Sequence, residues 1–151
     1  MTINNTITFF ESLQSQANKK SEIKVYSDFI AILSNLKNRE LKDEQYQSIK
    51  KELDSLKLKS NPNNKKRYYA KKLNEFKTYL EKEFSLVSEG YYTTIGTGIG
   101  MSLGVAIGAS FGESTGIALG ISIGMLIGLA IGRKKDAEAE KQGLVLRSKI
   151  N

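Results

Sequence analysis

Between Gly96 and Gly132 glycine falls on every fourth residue without a miss: Gly96, Gly100, Gly104, Gly108, Gly112, Gly116, Gly120, Gly124, Gly128 and Gly132. Only Gly90, Gly98 and Gly143 lie outside this series. A step of four residues on an α-helix overshoots one turn by about 40°. Glycines spaced this way form a smooth groove that drifts slowly round the helix, and a partner backbone can approach closely along it. Ten in one straight helix would wander right round the cylinder. Two helices of five avoid this, so a break is expected near Glu113, Ser114 and Thr115, between spans Ile95–Gly112 and Gly116–Gly132.

Between Tyr91 and Gly132 the only charge is Glu113. The two spans would be about 27 and 25 Å long at 1.5 Å per residue, the short end of what crosses a bilayer. Thr97, Ser102 and Ser110 count against insertion of the first span, so the pair is expected to insert together with the second leading. Glu113 is read as the polar tip of the turn; within a bilayer it would instead mark an ion path.

The remaining rows of each span add to this. Ile95, Ile99, Leu103, Ile107 and Phe111 make a bulky row about 100° from the glycines. Gly98, Ser102, Ala106 and Ser110 make a second small row about 200° away, and Ala118, Ser122 and Ala130 repeat it in the second span, with Leu126 the exception. One small face can pack inside the hairpin while the other meets a neighbouring copy, so a homo-oligomer is expected. Large and small residues also alternate with the period of a β-strand, which would suit a membrane β-hairpin. Interior glycine weakens strands, and the spans exceed the usual 9–11 residues of a membrane strand, so helices are favoured.

Residues 1–90 are of opposite character, with 17 Lys+Arg, 12 Asp+Glu and one glycine, Gly90. Four amphipathic helices are expected: Thr6–Ala17; Ser21, as N-cap, to Asn38; Lys42–Lys57; and one from near Pro62 to Ser88 with Tyr69, Leu73, Phe76, Leu80, Phe84 and Val87 as its seam. They would form a small bundle or a pair of helical hairpins. Its thin core suggests that it leans on a partner, a second copy or the membrane. Residues 133–151 form a basic tail carrying six basic and three acidic groups. The whole is all-α: a cytoplasmic helical domain over 1–90, a two-helix membrane hairpin over 91–132, and the tail.

Arg133, Lys134 and Lys135 follow the hairpin, and Lys77 and Lys82 precede it, which puts both ends on the cytoplasmic side. Tyr91 and Tyr92 suit the headgroup level. The densest basic run is Lys65, Lys66 and Arg67 with Tyr68 and Tyr69, then Lys71 and Lys72. Basic groups beside aromatics can serve nucleic acid or phosphoinositides, but a solvated helix face is the commoner use of such a run, so nucleic acid is not the favoured partner.

There is no cysteine and no histidine, which removes Ser-His and Cys-His nucleophile pairs, lipoprotein anchoring and the commonest zinc sites. No phosphate loop or metal-ligand spacing appears. No cofactor and no enzymatic activity are expected.

The run closing in Gly128-Leu129-Ala130-Ile131-Gly132, with Arg133-Lys134-Lys135-Asp136-Ala137-Glu138-Ala139 and Gly143-Leu144-Val145-Leu146, resembles bacterial glycine-zipper membrane proteins over the last third of the chain. The resemblance implies membrane packing in the bacterial inner membrane rather than a particular activity. The first 90 residues loosely resemble helical bacterial proteins of no assigned activity. The reading that follows is an inner-membrane protein whose self-associating hairpin anchors a recruiting or sensing domain for an unidentified cytoplasmic partner. A pore-forming effector and a soluble nucleic-acid-binding module are the alternatives.

Overall fold

The computed structural model describes residues 1–111 and 114–147, the side chain of Ser114 excepted. The protein is all-α: the described residues form six helices and two strands of two residues each. The periodic glycine segment is helical up to Ala109 and again from Ser114, so its alternation of large and small residues is not used as strand there. The chain divides into two compact units, one comprising Met1–Leu86 with the chain end from Leu146, the other Val87–Val145.

The first unit contains α1 (Ile3–Gln16), α2 (Lys20–Lys37), α3 (Asp43–Ser55) and α4 (Lys65–Phe84). Within it α1 packs on α2, α2 on α4, and α3 on α4. Helix α2 is the centre. Of the apolar stripe at three-and-four spacing, Tyr26, Phe29, Ile30, Leu33 and Leu36 are buried and Ile23 is half-buried; Ala31 and Ile32 are buried as well, so from Phe29 to Leu33 the helix is enclosed on every side.

Aromatic rings join the three helices. Phe10 of α1 stacks on Phe29 of α2 at 4.2 Å between centroids, and Tyr69 of α4 meets Phe10 and Tyr26 edge-on at 5.6 and 5.5 Å. Such offset and T-shaped pairs suit the ring quadrupoles. The Tyr69 hydroxyl, buried with its ring, donates to the carbonyl of Leu58 at 3.0 Å.

Several helix ends differ from expectation for local reasons. The first helix starts at Ile3 because the Thr2 hydroxyl accepts from the Asn5 amide at 3.2 Å. Ser21 is not a cap; it lies inside α2, and Lys19 takes the N-cap position without a side-chain bond. The fourth helix begins at Lys65 rather than near Pro62, because Asn64 accepts from the Arg67 amide at 3.0 Å. It stops at Phe84, where Ser85 turns into the left-handed region at φ 56°. Val87 is therefore not in the α4 seam. It lies in β1 (Val87–Ser88), which pairs with β2 (Val145–Leu146).

The second unit contains α5 (Tyr91–Ala109) and α6 (Ser114–Lys141). The spans expected as Ile95–Gly112 and Gly116–Gly132 are thus extended at the start of the first and well past the end of the second. Gly90 and Gly143, both at positive φ, bracket the pair.

Burial pushes the Tyr69 phenol up to about 12, with Tyr26 and Tyr68 adding to the effect, and burial raises Tyr26 and Tyr79 as well. A phenol whose folded value lies above its unfolded value near 10 contributes stability that is complete below pH 10 and lost as pH rises toward 12. The stability of the helical unit, followed by circular dichroism in denaturant, should therefore fall across that window. Tyr69→Phe should lower stability at neutral pH by about 1–3 kcal/mol, through the unpaired Leu58 carbonyl, and should flatten the alkaline decline.

Candidate functional site: the glycine seam

Helix α5 and helix α6 run antiparallel with glycine facing glycine. Gly96 lies against Gly128, Gly100 against Gly124, Gly104 against Gly120, and Gly108 against Gly116. A methyl group placed on any of these eight would come closer than 3.0 Å to the opposite backbone. At Gly124 it would also stand 3.1 Å from the Cα of Gly104, and at Gly100 3.2 Å from the Cα of Gly128. Any side chain would force the helices apart. The closeness allows dispersion contact and Cα–H···O contact along the whole seam. Gly132 closes the seam: a methyl on Gly96 would lie 3.4 Å from its Cα, while its own methyl would lie 2.5 Å from the Cα of Thr93. Gly112 and Glu113 fall outside the described residues.

The second small row faces away from the seam. Gly98, Ser102, Ala106 and Ser110 are exposed along the back of α5, and Ala118, Ser122 and Ala130 along the back of α6. A methyl group on Gly98 would meet nothing within 4 Å. Between these edges lie two broad apolar faces. One carries a groove of about 580 Å³, floored by seam glycines and walled by Leu103, Ile107 and Phe111 on one side and Leu119, Ile123 and Ile127 on the other. Thr115 also lines this groove. Among the described residues, every exposed large hydrophobic side chain lies between Ile95 and Ile131, with Phe111 at 74% exposure.

The hydroxyls of the pair are used locally. Thr97 donates to Thr93 O at 2.7 Å, Ser102 to Gly98 O at 2.9 Å, Ser110 to Ala106 O at 3.3 Å and Ser122 to Ala118 O at 2.8 Å. These bonds to the preceding turn leave the donors satisfied within their own helix. Helix α6 is long and apolar enough to cross a membrane, over Thr115–Lys141; among the described residues it is the one helix that is.

At the open end of the pair sits a residue that the sequence reading passed over. Gly90 takes the N-cap position of α5 and has no side chain to offer. Asp136 of α6 supplies the cap instead: Oδ1 accepts from the Tyr92 amide and Oδ2 from the Thr93 amide, both at 2.9 Å. A carboxylate at a helix N-terminus satisfies orphan amides and opposes the helix dipole. Next to it, Lys135 lies over the Tyr92 ring at 5.8 Å. Tyr91 and Tyr92 pack edge-on at 5.2 Å, and Arg133 and Lys134 are exposed.

The basic run of α4 is a separate feature of the helical unit, and much of it is committed to the fold. Lys72 pairs with Glu75 at 2.8 Å and lies 5.8 Å above the Tyr68 ring. Tyr68 donates to the carbonyl of Lys57 at 2.9 Å, and Tyr69 is buried. Lys66, Arg67 and Lys71 are exposed and Lys65 is half-buried. The two tyrosines thus tie α4 to the preceding turn.

Two substitutions of the same chemistry should have opposite effects. Gly104→Ala places its methyl against Gly120 and should destabilise the helix pair by about 1–3 kcal/mol through overpacking. Gly98→Ala meets open space and should stabilise by up to about 1 kcal/mol, from the helix preference for alanine. Reversible unfolding in mild detergent, followed by circular dichroism, reads both.

No family model, no curated protein and no solved structure matches the chain.

Proposed function

We propose that α5 and α6 form a membrane-inserted hairpin that packs through its glycine seam, associates with other copies along its small edges, and anchors the helical unit at the cytoplasmic face. The observation that carries this reading is the confinement of the exposed large hydrophobic side chains to Ile95–Ile131. A soluble monomer rarely leaves so much contiguous apolar surface uncovered, and hydrocarbon is the solvent that suits it. The candidate span in α6 supports the same reading.

Helix α5 is less apolar than the candidate span in α6, since it carries Thr93, Thr94, Thr97 and Ser102. Its hydroxyls for which bonds are given above donate to their own helix, so they add no free donor to a lipid phase. The basic run Arg133-Lys134-Lys135 follows the hairpin and favours a cytoplasmic position for both of its ends. The resemblance of the last third to glycine-zipper proteins points to the bacterial inner membrane. The helical unit would then recruit or sense a cytoplasmic partner.

Anchoring is favoured over pore formation by the chemistry of the hairpin's surfaces. Both broad faces are apolar, and the serine hydroxyls on the edges already bond within their helices. Among the described residues, the serine and threonine hydroxyls with bonds to their own helix give a water path no continuous set of free polar groups. The exposed small rows instead suit side-by-side packing of hairpins, since missing side chains allow close approach in lipid.

Full-length protein should remain in the membrane pellet after carbonate and high-salt extraction; release into the soluble fraction would overturn the membrane reading and leave the basic run of α4 as the better lead. Ala106→Leu combined with Ser122→Leu should weaken oligomers in mild detergent while helicity is retained. Liposomes carrying the oligomer should retain a trapped dye, and leakage would replace the anchor with a pore.

A further inference from the structure

The glycine seam has a repeat of four, and a repeat cannot by itself define a register. Sliding α6 along α5 by one repeat, about 6 Å, would set Gly132 against Gly96, Gly128 against Gly100, Gly124 against Gly104 and Gly120 against Gly108. Every one of those pairs is again glycine on glycine. In the observed register Gly132 packs most closely on Tyr92 and Thr93, with Gly96 the next glycine beside it. Some interaction without the four-residue repeat must select it.

Asp136 has that property. It is the single carboxylate between Gly116 and Ala137, and it stands past the end of α5, where the amides of Tyr92 and Thr93 point along the helix axis into its two oxygens. After a one-repeat slide the residue facing Asp136 would be Tyr92 itself. The carboxylate would then lie beside the first turn, where those axial amides cannot reach it. The Lys135–Tyr92 contact at 5.8 Å would be lost in the same movement. One-turn displacements of a packed helix between discrete positions are an established kind of two-state transition.

We propose that the hairpin is a two-register element and that Asp136 is the positioning residue that holds it in the observed register. Each register keeps glycine on glycine along the seam; they differ in what caps α5, in how β1 meets β2 after α6, and in which edge residues stand level. Ser102 is level with Ser122 when Gly100 faces Gly124 and Gly104 faces Gly120; after the slide it would be level with Leu126. The inference concerns the helix pair alone and holds whether or not the pair lies in a bilayer.

The chain has no cysteine, so nitroxides can be placed at will. Pulsed electron-resonance distances would be measured in full-length protein in mild detergent, diluted with unlabelled chain, for the double variants Ser102→Cys/Ser122→Cys and Ser102→Cys/Leu126→Cys. With Asp136 present, the first pair should be the closer. Adding Asp136→Ala, or the isosteric Asp136→Asn, should introduce a population in which the second pair is closer, with an axial change of about 6 Å and unchanged helicity. Distances that superpose on those of the Asp136 chain in both variants would overturn the proposal. So would loss of helicity or of both spacings, since Asp136 would then hold the pair together rather than choose its register.

Discussion

Two backbones that touch without side chains between them are what the hairpin depends on. Gly100, Gly104, Gly120 and Gly124 bring α5 and α6 so near that even a methyl group has no room. Packing at this distance draws on dispersion and weak Cα–H···O contact, neither of which requires water to be expelled. It therefore works in hydrocarbon as well as in water. This frees the large side chains: Leu103, Ile107, Leu119, Ile123 and their neighbours are not needed to hold the helices together and can all face outward. The helical unit uses the opposite plan, with Phe10, Tyr26, Phe29, Tyr69 and Phe76 turned inward. Its cohesion is the ordinary burial of apolar area.

Much of this was legible in the residues because it is periodic. A glycine every four residues specifies a helix groove, and the seam from Tyr69 to Val87 specifies one face of α4; the structure buries Tyr69, Leu73, Phe76 and Leu80 there, leaves Phe84 half-buried and carries Val87 into β1. What could not be read is what lacks a local signature. Ser21 looks like an N-cap, but α2 starts one residue earlier at Lys20. Pro62 looks like a first-turn residue, but Asn64 holds the cap two positions later. The cap on α5 comes from Asp136, more than forty residues away in sequence, and nothing near Gly90 announces it. Register was illegible for a deeper reason: a repeat specifies the spacing of contacts and leaves their pairing open.

The hydroxyl groups show how composition can mislead about polarity. Thr97, Ser102, Ser110 and Ser122 lower the hydropathy of the segment, yet each returns its proton to a carbonyl of its own helix. A residue scale counts them as polar, whereas a neighbouring molecule meets a small, largely self-satisfied group. The same holds for the basic run of α4, where Lys72 and the two tyrosines are occupied with Glu75, Lys57 and Leu58. The charge available to a partner is smaller than the sequence suggests.

The short pairing of β1 with β2 has a topological consequence. The Val87 amide donates to the Leu144 carbonyl at 3.0 Å, so the chain enters and leaves the hairpin through neighbouring points. Past the hairpin the chain rejoins the helical unit, where Leu146 is buried and the Arg147 carbonyl accepts from Asn35 at 3.1 Å. The hairpin is thus an excursion inserted into one folded body and not a tail hung from its end. A force on the hairpin is therefore shared between two strands of chain stitched together at their base.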